Sequence, residues 1–289
     1  MTLGMLNCDS VLMNEIKKHV AVVDLDRDPG TNCDVFFIDF SPTTSDKTPE
    51  KAAKIVRQVD ALEAAVKKRK MVLLFDRYLS LTSKEYDWLK KSNTRFLEPA
   101  LNNRTNFTYL PFWYVPKTLD EIMISDSSRP YVLGYKGNVS DRIKSFESYY
   151  VSFAKIYPNY KVVYDKSIER VKEEEYKNYN IERKSFDYTD CKYTIILGTH
   201  REYNIGYLDS FTFKALHSNC VPLIPLDHRY FGNIGWKYWT AEDLKYLHNQ
   251  YEKAHVGLLL EVYDSLDRFY PEMKIQNVAE SIIRLAKGS

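Results

Sequence analysis

Apolar runs alternate with amphipathic segments along most of the chain, and this alternation predicts strands that alternate with helices. Helix signals stand between the runs: Pro49 opens a helix to about Lys70, and Asp209-Ser210 can cap one that starts at Phe211. Such a series predicts mostly parallel sheets, covered by helices on both faces. The runs that we interpret as strands are 20–25, 35–38, 71–75, 107–113, 131–135, 161–164, 193–197 and 220–225.

The alternating pattern occurs twice, which predicts two α/β domains. A chain of 289 residues is long enough for two medium domains. We place the boundary in the segment 114–129, because it holds Pro116 and a polar serine-rich run and is followed by Pro130. The expected domains are 1–125 and 126–270, each Rossmann-like. Two parallel sheets side by side would face each other across a cleft, with ligands at the carboxyl ends of the strands.

Composition narrows the class of protein only slightly. Basic and acidic residues number 41 and 39, and the net charge of +2 neither demands nor excludes a nucleic-acid partner. No apolar run approaches the roughly 18 residues that span a bilayer, and the first residues lack a signal-peptide pattern, so we expect a cytoplasmic protein. The four cysteines are far apart in sequence, and we expect neither zinc, nor another metal, nor a disulfide framework.

Polar and basic residues follow two of the predicted strands and precede helices, which indicates an anion site. An arginine at a helix N-terminus opposes the helix dipole, and a bound anion would relieve that conflict. A nucleotide diphosphate is the commonest such ligand. The residues that we predict for this site are Gly134, Lys136, Gly137, Arg142, Thr199, His200, Arg201, Asp209 and Ser210.

The strand that follows this segment carries a family resemblance. Asn219-Cys220-Val221-Pro222-Leu223-Ile224 resembles the donor-binding part of two-domain (GT-B) glycosyltransferases, whose G-x-V-P-L/V-I/V strand has Gly at the first position. Lys214 stands where many members carry the Glu that holds the donor ribose, and an ammonium there suits a phosphate better. The resemblance implies a nucleotide-sugar donor, most simply a UDP-sugar, in the second domain. It also implies that the last helix, 271–289, returns to the first domain.

Two aspartates end predicted strands of the first domain. Asp39 and Asp76 should lie at one edge of a parallel sheet, where a carboxylate can act as general base toward an acceptor hydroxyl. Arg77 follows Asp76, and we expect it to keep that carboxyl ionised. We therefore favour Asp39 as the base and Asp76 as an acceptor-orienting residue. Transfer with retention, which has no obligatory base, remains the alternative to inversion.

The segments 73–89 and 98–113 are similar to bacteriophage enzymes that glycosylate hydroxymethylated bases in DNA. This resemblance implies a double-stranded DNA partner, a flipped base as acceptor and a set of contacts to the DNA. A glycan or protein acceptor is one alternative, and a non-catalytic nucleotide-binding protein is another. The residues that we predict for DNA contacts are Arg77, Lys84, Asn103 and Arg104.

Overall fold

The protein folds into two α/β units in a computed structural model. The first unit comprises Met1–Pro111 together with Ile275–Ser289, and the second unit comprises Phe112–Lys274. Each unit contains one parallel sheet, so the predicted class of two Rossmann-like α/β domains is confirmed. The structure describes residues 1–40, 49–81, 84, 87, 89–90, 92–101, 104–123, 129–137, 139, 142–165, 170–198, 200–225 and 256–288.

The sheet of the first unit has six parallel strands in the order β2-β1-β3-β4-β5-β6. The chain leaves β1 toward β2 on one side and then crosses to β3 on the other, so the order reverses between β1 and β3. The strands are β1 (Thr2–Leu6), β2 (Ala21–Asp24), β3 (Val35–Phe40), β4 (Met71–Asp76), β5 (Thr94–Glu98) and β6 (Phe107–Tyr109).

The sheet of the second unit has five parallel strands in the order β11-β10-β7-β8-β9. This is the doubly wound order of a mononucleotide-binding fold, and it reverses between β7 and β10. The strands are β7 (Tyr131–Tyr135), β8 (Val162–Tyr164), β9 (Ile181–Arg183), β10 (Cys191–Ile195) and β11 (Val221–Leu223).

Helices flank both sheets. Among those within the described ranges, none combines enough length with enough apolar character to span a bilayer. Residues 256–269 are also helical. The helices with defined bounds are α1 (Ser10–Lys17), α2 (Pro49–Lys67), α3 (Leu119–Met123), α4 (Ile143–Phe146), α5 (Ser152–Ile156), α6 (Arg170–Lys177), α7 (His200–Ile205), α8 (Ser210–His217) and α9 (Ile275–Lys287), with a π-helical turn (Glu147–Val151) joining α4 to α5.

The core of the first unit explains why β3 consists almost entirely of apolar residues. All six residues of β3 are buried, because helices cover both faces of the sheet. Helix α9 packs against α1 and β4 and buries one face, since its apolar residues recur at helical spacing. That face consists of Ile275, Val278, Ala279, Ile282, Ile283 and Ala286.

Several elements differ from the sequence-based expectation. Strands β1, β5 and β9 were not predicted, because none of them lies in a long apolar run. In β1, a Cβ atom on Gly4 would lie 2.8 Å from the sulfur of Cys33, so the strand depends on a close approach that periodicity does not report. The segment directly after β10, in which the sequence gives no helix signal, contains α7. The sequence also predicts a helix that starts at Ala241 with Thr240 as its cap, and this start lies outside the described residues.

Candidate functional site

The second unit has two adjoining pockets where its strand order reverses. Strands β7 and β10 are parallel neighbours, and both pockets lie at their carboxyl ends, where α/β folds bind ligands. We call the two together the switch-point crevice. The first pocket is lined by residues including Tyr135, Lys136, Thr194, Asp209 and Phe211. The second is lined by residues including Arg142, Gly198, Glu202, Tyr207 and Asp209.

Arg142 is the main cation of the second pocket. It stands at the N-cap of α4, and its Nη2 atom lies 2.8 Å from Oε1 and 3.1 Å from Oε2 of Glu202. The side chain is 15% exposed. Its Nε atom is buried and has no hydrogen-bond partner among the described residues. A buried N–H group without an acceptor costs about 1–3 kcal/mol, so an oxygen bound at this point would remove a penalty that the protein carries.

The N-terminus of α8 contributes Asp209 to both pockets. Oδ1 of Asp209 accepts hydrogen bonds from the Phe211 N–H at 3.0 Å and from Ser210 Oγ at 3.3 Å, which confirms the predicted cap. Burial raises the pKa of the Asp209 carboxyl; the Phe211 hydrogen bond and Arg142 oppose this effect. The crevice therefore holds a carboxyl group that gains a proton more readily than an exposed aspartate.

Two lysines stand at aromatic rings of the first pocket. Lys136 Nζ lies 5.0 Å from the ring centroid of Phe186 and 5.6 Å from that of Tyr188. Lys214 is exposed on α8, and its Nζ lies 5.2 Å from the ring centroid of Phe211, which lines the first pocket. The predicted Lys136 and Lys214 thus bring positive charge to the pocket or beside it.

The two predicted glycines occupy different settings. Gly134 lies inside β7, and a Cβ atom there would lie 2.2 Å from the sulfur of Cys191 and 2.7 Å from the Phe186 ring. These two side chains fill the space above Gly134, and its contact with a donor stays a prediction. Gly137 follows the strand with φ +156°, and a Cβ atom on it would lie 2.7 Å from the Tyr135 hydroxyl. The turn after β7 therefore requires glycine at Gly137.

Tyr150 fixes the strand ends beneath the crevice, and the sequence analysis missed it. Its buried hydroxyl accepts a hydrogen bond from the Ile195 N–H at 2.7 Å and lies 2.9 Å from the Ile195 carbonyl oxygen. The same hydroxyl is 3.3 Å from the carbonyl oxygen of Gly134 in β7. Tyr150 belongs to the π-helical turn, a feature often found near functional sites, which shifts the helical register and has no sequence signature.

Replacing Tyr150 with Phe is expected to lower the free energy of unfolding of the second unit by about 1–3 kcal/mol, because the Ile195 backbone groups lose their buried partner. Urea denaturation measures this change. Tyr164→Phe is the matched control, since the Tyr164 hydroxyl makes no hydrogen bond within the described chain and its removal should cost little. Equal losses in the two variants would contradict the role of Tyr150.

The carboxyl edge of the first sheet holds two buried ion-paired clusters. Asp39 is 1% exposed, and the Arg77 Nε atom lies 3.0 Å from each of its carboxylate oxygens, with a further contact from Nη2. The expectation that Arg77 acts on Asp76 is therefore corrected. Since Phe40 pairs with Asp76, β3 and β4 end side by side, and Arg77 in the turn after β4 reaches Asp39 on the neighbouring strand.

The second cluster joins Asp76 to Glu98 through Arg104. Asp76 accepts hydrogen bonds from Ser80 N at 2.8 Å, Ser80 Oγ at 3.1 Å and Leu81 N at 2.9 Å, and pairs with Arg104 Nη2 at 2.6 Å. Arg104 Nε lies 2.6 Å from Oε2 of Glu98. Arg104 thus compensates two carboxylates whose side chains are 0% and 1% exposed.

The remaining predicted site residues are only partly described. His200 and Arg201 lie in α7, and their side chains are outside the described part of the structure, as is the whole of Thr199. Of the residues predicted for DNA, Lys84 is exposed and Asn103 lies outside the described residues. The described residues contain no group of three or more His, Cys, Asp or Glu side chains able to hold a metal ion.

No protein-family profile and no curated protein sequence matches the chain. Among solved structures it is similar to a glycosyltransferase from Rickettsia africae (TM-score 0.48, 7% identity, 99% of this chain and 89% of that one). It is also similar to MurG from Acinetobacter baumannii (TM-score 0.45, 10% identity, 100% and 99%). A third is a UDP-GlcNAc 2-epimerase from Neisseria meningitidis bound to UDP-GlcNAc (TM-score 0.47, 10% identity, 100% and 99%).

Proposed function

We propose that the switch-point crevice binds the diphosphate of a nucleotide-sugar and that the protein transfers the sugar to a hydroxyl acceptor. The observation that carries this proposal is the buried Nε atom of Arg142, which has no acceptor among the described residues and stands in a pocket at the reversal of the strand order. A phosphate oxygen would accept from it. The N-terminus of α8, which enters the same crevice, also favours a phosphate.

The first pocket suits the rest of such a ligand. Tyr135 and Phe211 give it aromatic surface, and Ile195 and Ile196 give it aliphatic surface, on which a ribose or base can pack. Lys136 and Lys214 add positive charge beside these rings. A binding site for an anion next to an apolar, partly aromatic pocket suits a nucleoside diphosphate better than a free phosphate. We propose UDP as the nucleotide part of the donor.

For the acceptor we propose a hydroxyl group, with a hydroxymethylated DNA base as the first case to test. Two of the four residues predicted to contact DNA, Arg77 and Arg104, compensate buried carboxylates, so their charges are already neutralised. Lys84 is an exposed cation of the same unit and the better probe of a DNA contact. Hydroxyl groups of a glycan or a protein are the other acceptors to be tested.

The proposal is tested by binding and turnover together. Calorimetry with UDP, UMP and uridine should show that affinity rises with the number of phosphates, because Arg142 and the α8 N-terminus contact them. Product formation from radiolabelled UDP-glucose is then compared with hydroxymethylated DNA, unmodified DNA, glycan or protein acceptors, and no acceptor. Binding without any turnover supports a non-catalytic nucleotide-binding protein. Equal affinity for uridine and UDP overturns the assignment of the crevice.

Replacing Arg142 with Ala is expected to weaken UDP binding by roughly 1.5–3 kcal/mol, the worth of a charge-assisted hydrogen bond. Arg142→Lys keeps the charge but removes the Nε donor, and it should also bind more weakly than the wild type. Arg183→Ala is the control, because Arg183 forms an exposed ion pair with Glu173 in the same unit. Unchanged UDP affinity in both Arg142 variants, measured by calorimetry, would refute the role of Arg142.

A further inference from the structure

We propose, on the basis of the function proposed above, that Asp209 takes up a proton when the diphosphate binds, so that the site binds its donor with a higher affinity at lower pH. Asp209 lines both pockets of the switch-point crevice, and any ligand that fills the crevice therefore meets its carboxyl group. The proposal adds a proton to the binding reaction and identifies the side chain that carries it.

The hydrogen bonds of Asp209 leave one oxygen for this role. Both described bonds, from the Phe211 N–H and from Ser210 Oγ, go to Oδ1. The part of the chain that the structure describes provides no hydrogen bond to Oδ2. A proton on Oδ2 would leave the helix cap intact, because the cap uses Oδ1. It would also convert the group from an acceptor that repels a phosphate oxygen into an O–H donor that can bind one.

The charges around Asp209 show why an ionised carboxylate would oppose the ligand. The second pocket supplies Arg142, but Glu202 on α7 already pairs with it. The turn after β7 supplies Lys136. Tyr135 on β7 and Tyr188 in the turn before β10 are neutral, because burial raises the pKa of each hydroxyl.

Arg142, Glu202 and Lys136 together carry one net positive charge, which an ionised Asp209 cancels, and Lys214 adds a positive charge beside the first pocket. A diphosphate with two negative charges would then meet described lining groups whose charges sum to zero. A protonated Asp209 restores one positive charge to the crevice and removes the nearest repulsion.

Burial supports the proton uptake, since it raises the pKa of Asp209 before any ligand is present. A bound diphosphate adds negative charge and raises that pKa further. Binding therefore favours the protonated form. Between the pKa of the free protein and that of the complex, affinity should fall about tenfold for each unit of pH increase, and it should level off outside this window.

The experiment uses UDP-glucose as the probe, because its diphosphate diester has no group that titrates near neutral pH. Calorimetry from pH 5 to pH 9, in pairs of buffers that differ in ionisation enthalpy, gives both the affinity and the number of protons taken up. The wild type should take up as much as one proton per UDP-glucose within the window. Asp209→Asn should take up none and should bind with an affinity that does not change with pH, while Asn still caps the helix.

Asp9→Asn is the matched control. Asp9 caps α1 in the same way, by accepting from the N–H of the residue two positions later, but it lies in the first unit. This variant should keep the proton uptake of the wild type. If the wild type binds UDP-glucose without proton uptake, or if Asp209→Asn keeps the uptake, the inference fails and the proposed function stands. If no UDP-glucose or UDP binds at any pH, the proposed function fails as well.

Discussion

Replacing Arg104 with Met is expected to lower the free energy of unfolding by about 3–5 kcal/mol, as is usual when one partner of a buried ion pair is removed. Arg104 contacts Asp76 and Glu98, whose side chains are 0% and 1% exposed. Without the guanidinium group, two neighbouring carboxylates would stay buried with like charge.

Urea denaturation at pH 7 measures the effect of Arg104→Met. Arg27→Met is the matched control, since Arg27 pairs with Asp24 at 3.3 Å in the same unit but is 85% exposed. Its loss should stay below about 1 kcal/mol. A second variant that also carries Asp76→Asn and Glu98→Gln should regain part of the stability. A loss below about 1 kcal/mol for Arg104→Met would show that the cluster does not stabilise the first unit.

The two ion-paired clusters of the first unit show what a local sequence pattern does not contain. The pattern predicts that Asp39 and Asp76 both end parallel strands, and the register of β3 with β4 confirms that they share an edge. The pattern does not identify the cations that pair with these two aspartates, because the pairing depends on the order of strands in the sheet. Arg77 follows Asp76 in sequence but binds Asp39, 38 residues away. Charge neighbours in sequence are therefore a poor guide to ion pairs at a sheet edge.

In the second unit, too, the sequence predicts local contacts but not contacts between residues far apart in the chain. The cap of α8 by Asp209 is predictable, because it depends on residues that are adjacent in sequence. The pairing of Arg142 with Glu202 joins residues 60 positions apart and follows from α4 and α7 meeting at the crevice. The π-helical turn that directs Tyr150 to β10 has no sequence signal, because it differs from an α-helix by a single residue of register. The sequence thus predicts the helix ends but not the contacts that join them.

The hydrogen bonds of Asp76 bear on its role as a candidate base. A carboxylate has about four acceptor sites, and Asp76 receives four donors: two from Ser80, one from Leu81 and one from Arg104. No site remains to accept the proton of an acceptor hydroxyl. Asp39 is buried and is contacted by the Arg77 guanidinium group. The filled acceptor sites of Asp76 favour a structural role for Asp76, and Asp39 as the base is our proposal.

Asp39→Asn is expected to lower turnover by roughly 10²–10⁴-fold, the usual contribution of a general base. Donor affinity should not change, because the proposed donor crevice lies in the second unit. Product formation at saturating UDP-glucose gives the turnover, calorimetry gives the affinity, and the folded fraction from thermal unfolding corrects both.

Asp76→Asn is the matched control: it is equally buried, and we expect it to lose stability but keep its turnover per folded molecule. Near-normal turnover of Asp39→Asn would exclude it as the base. Sugar transfer with retention, assisted by the leaving diphosphate, would then be the better mechanism.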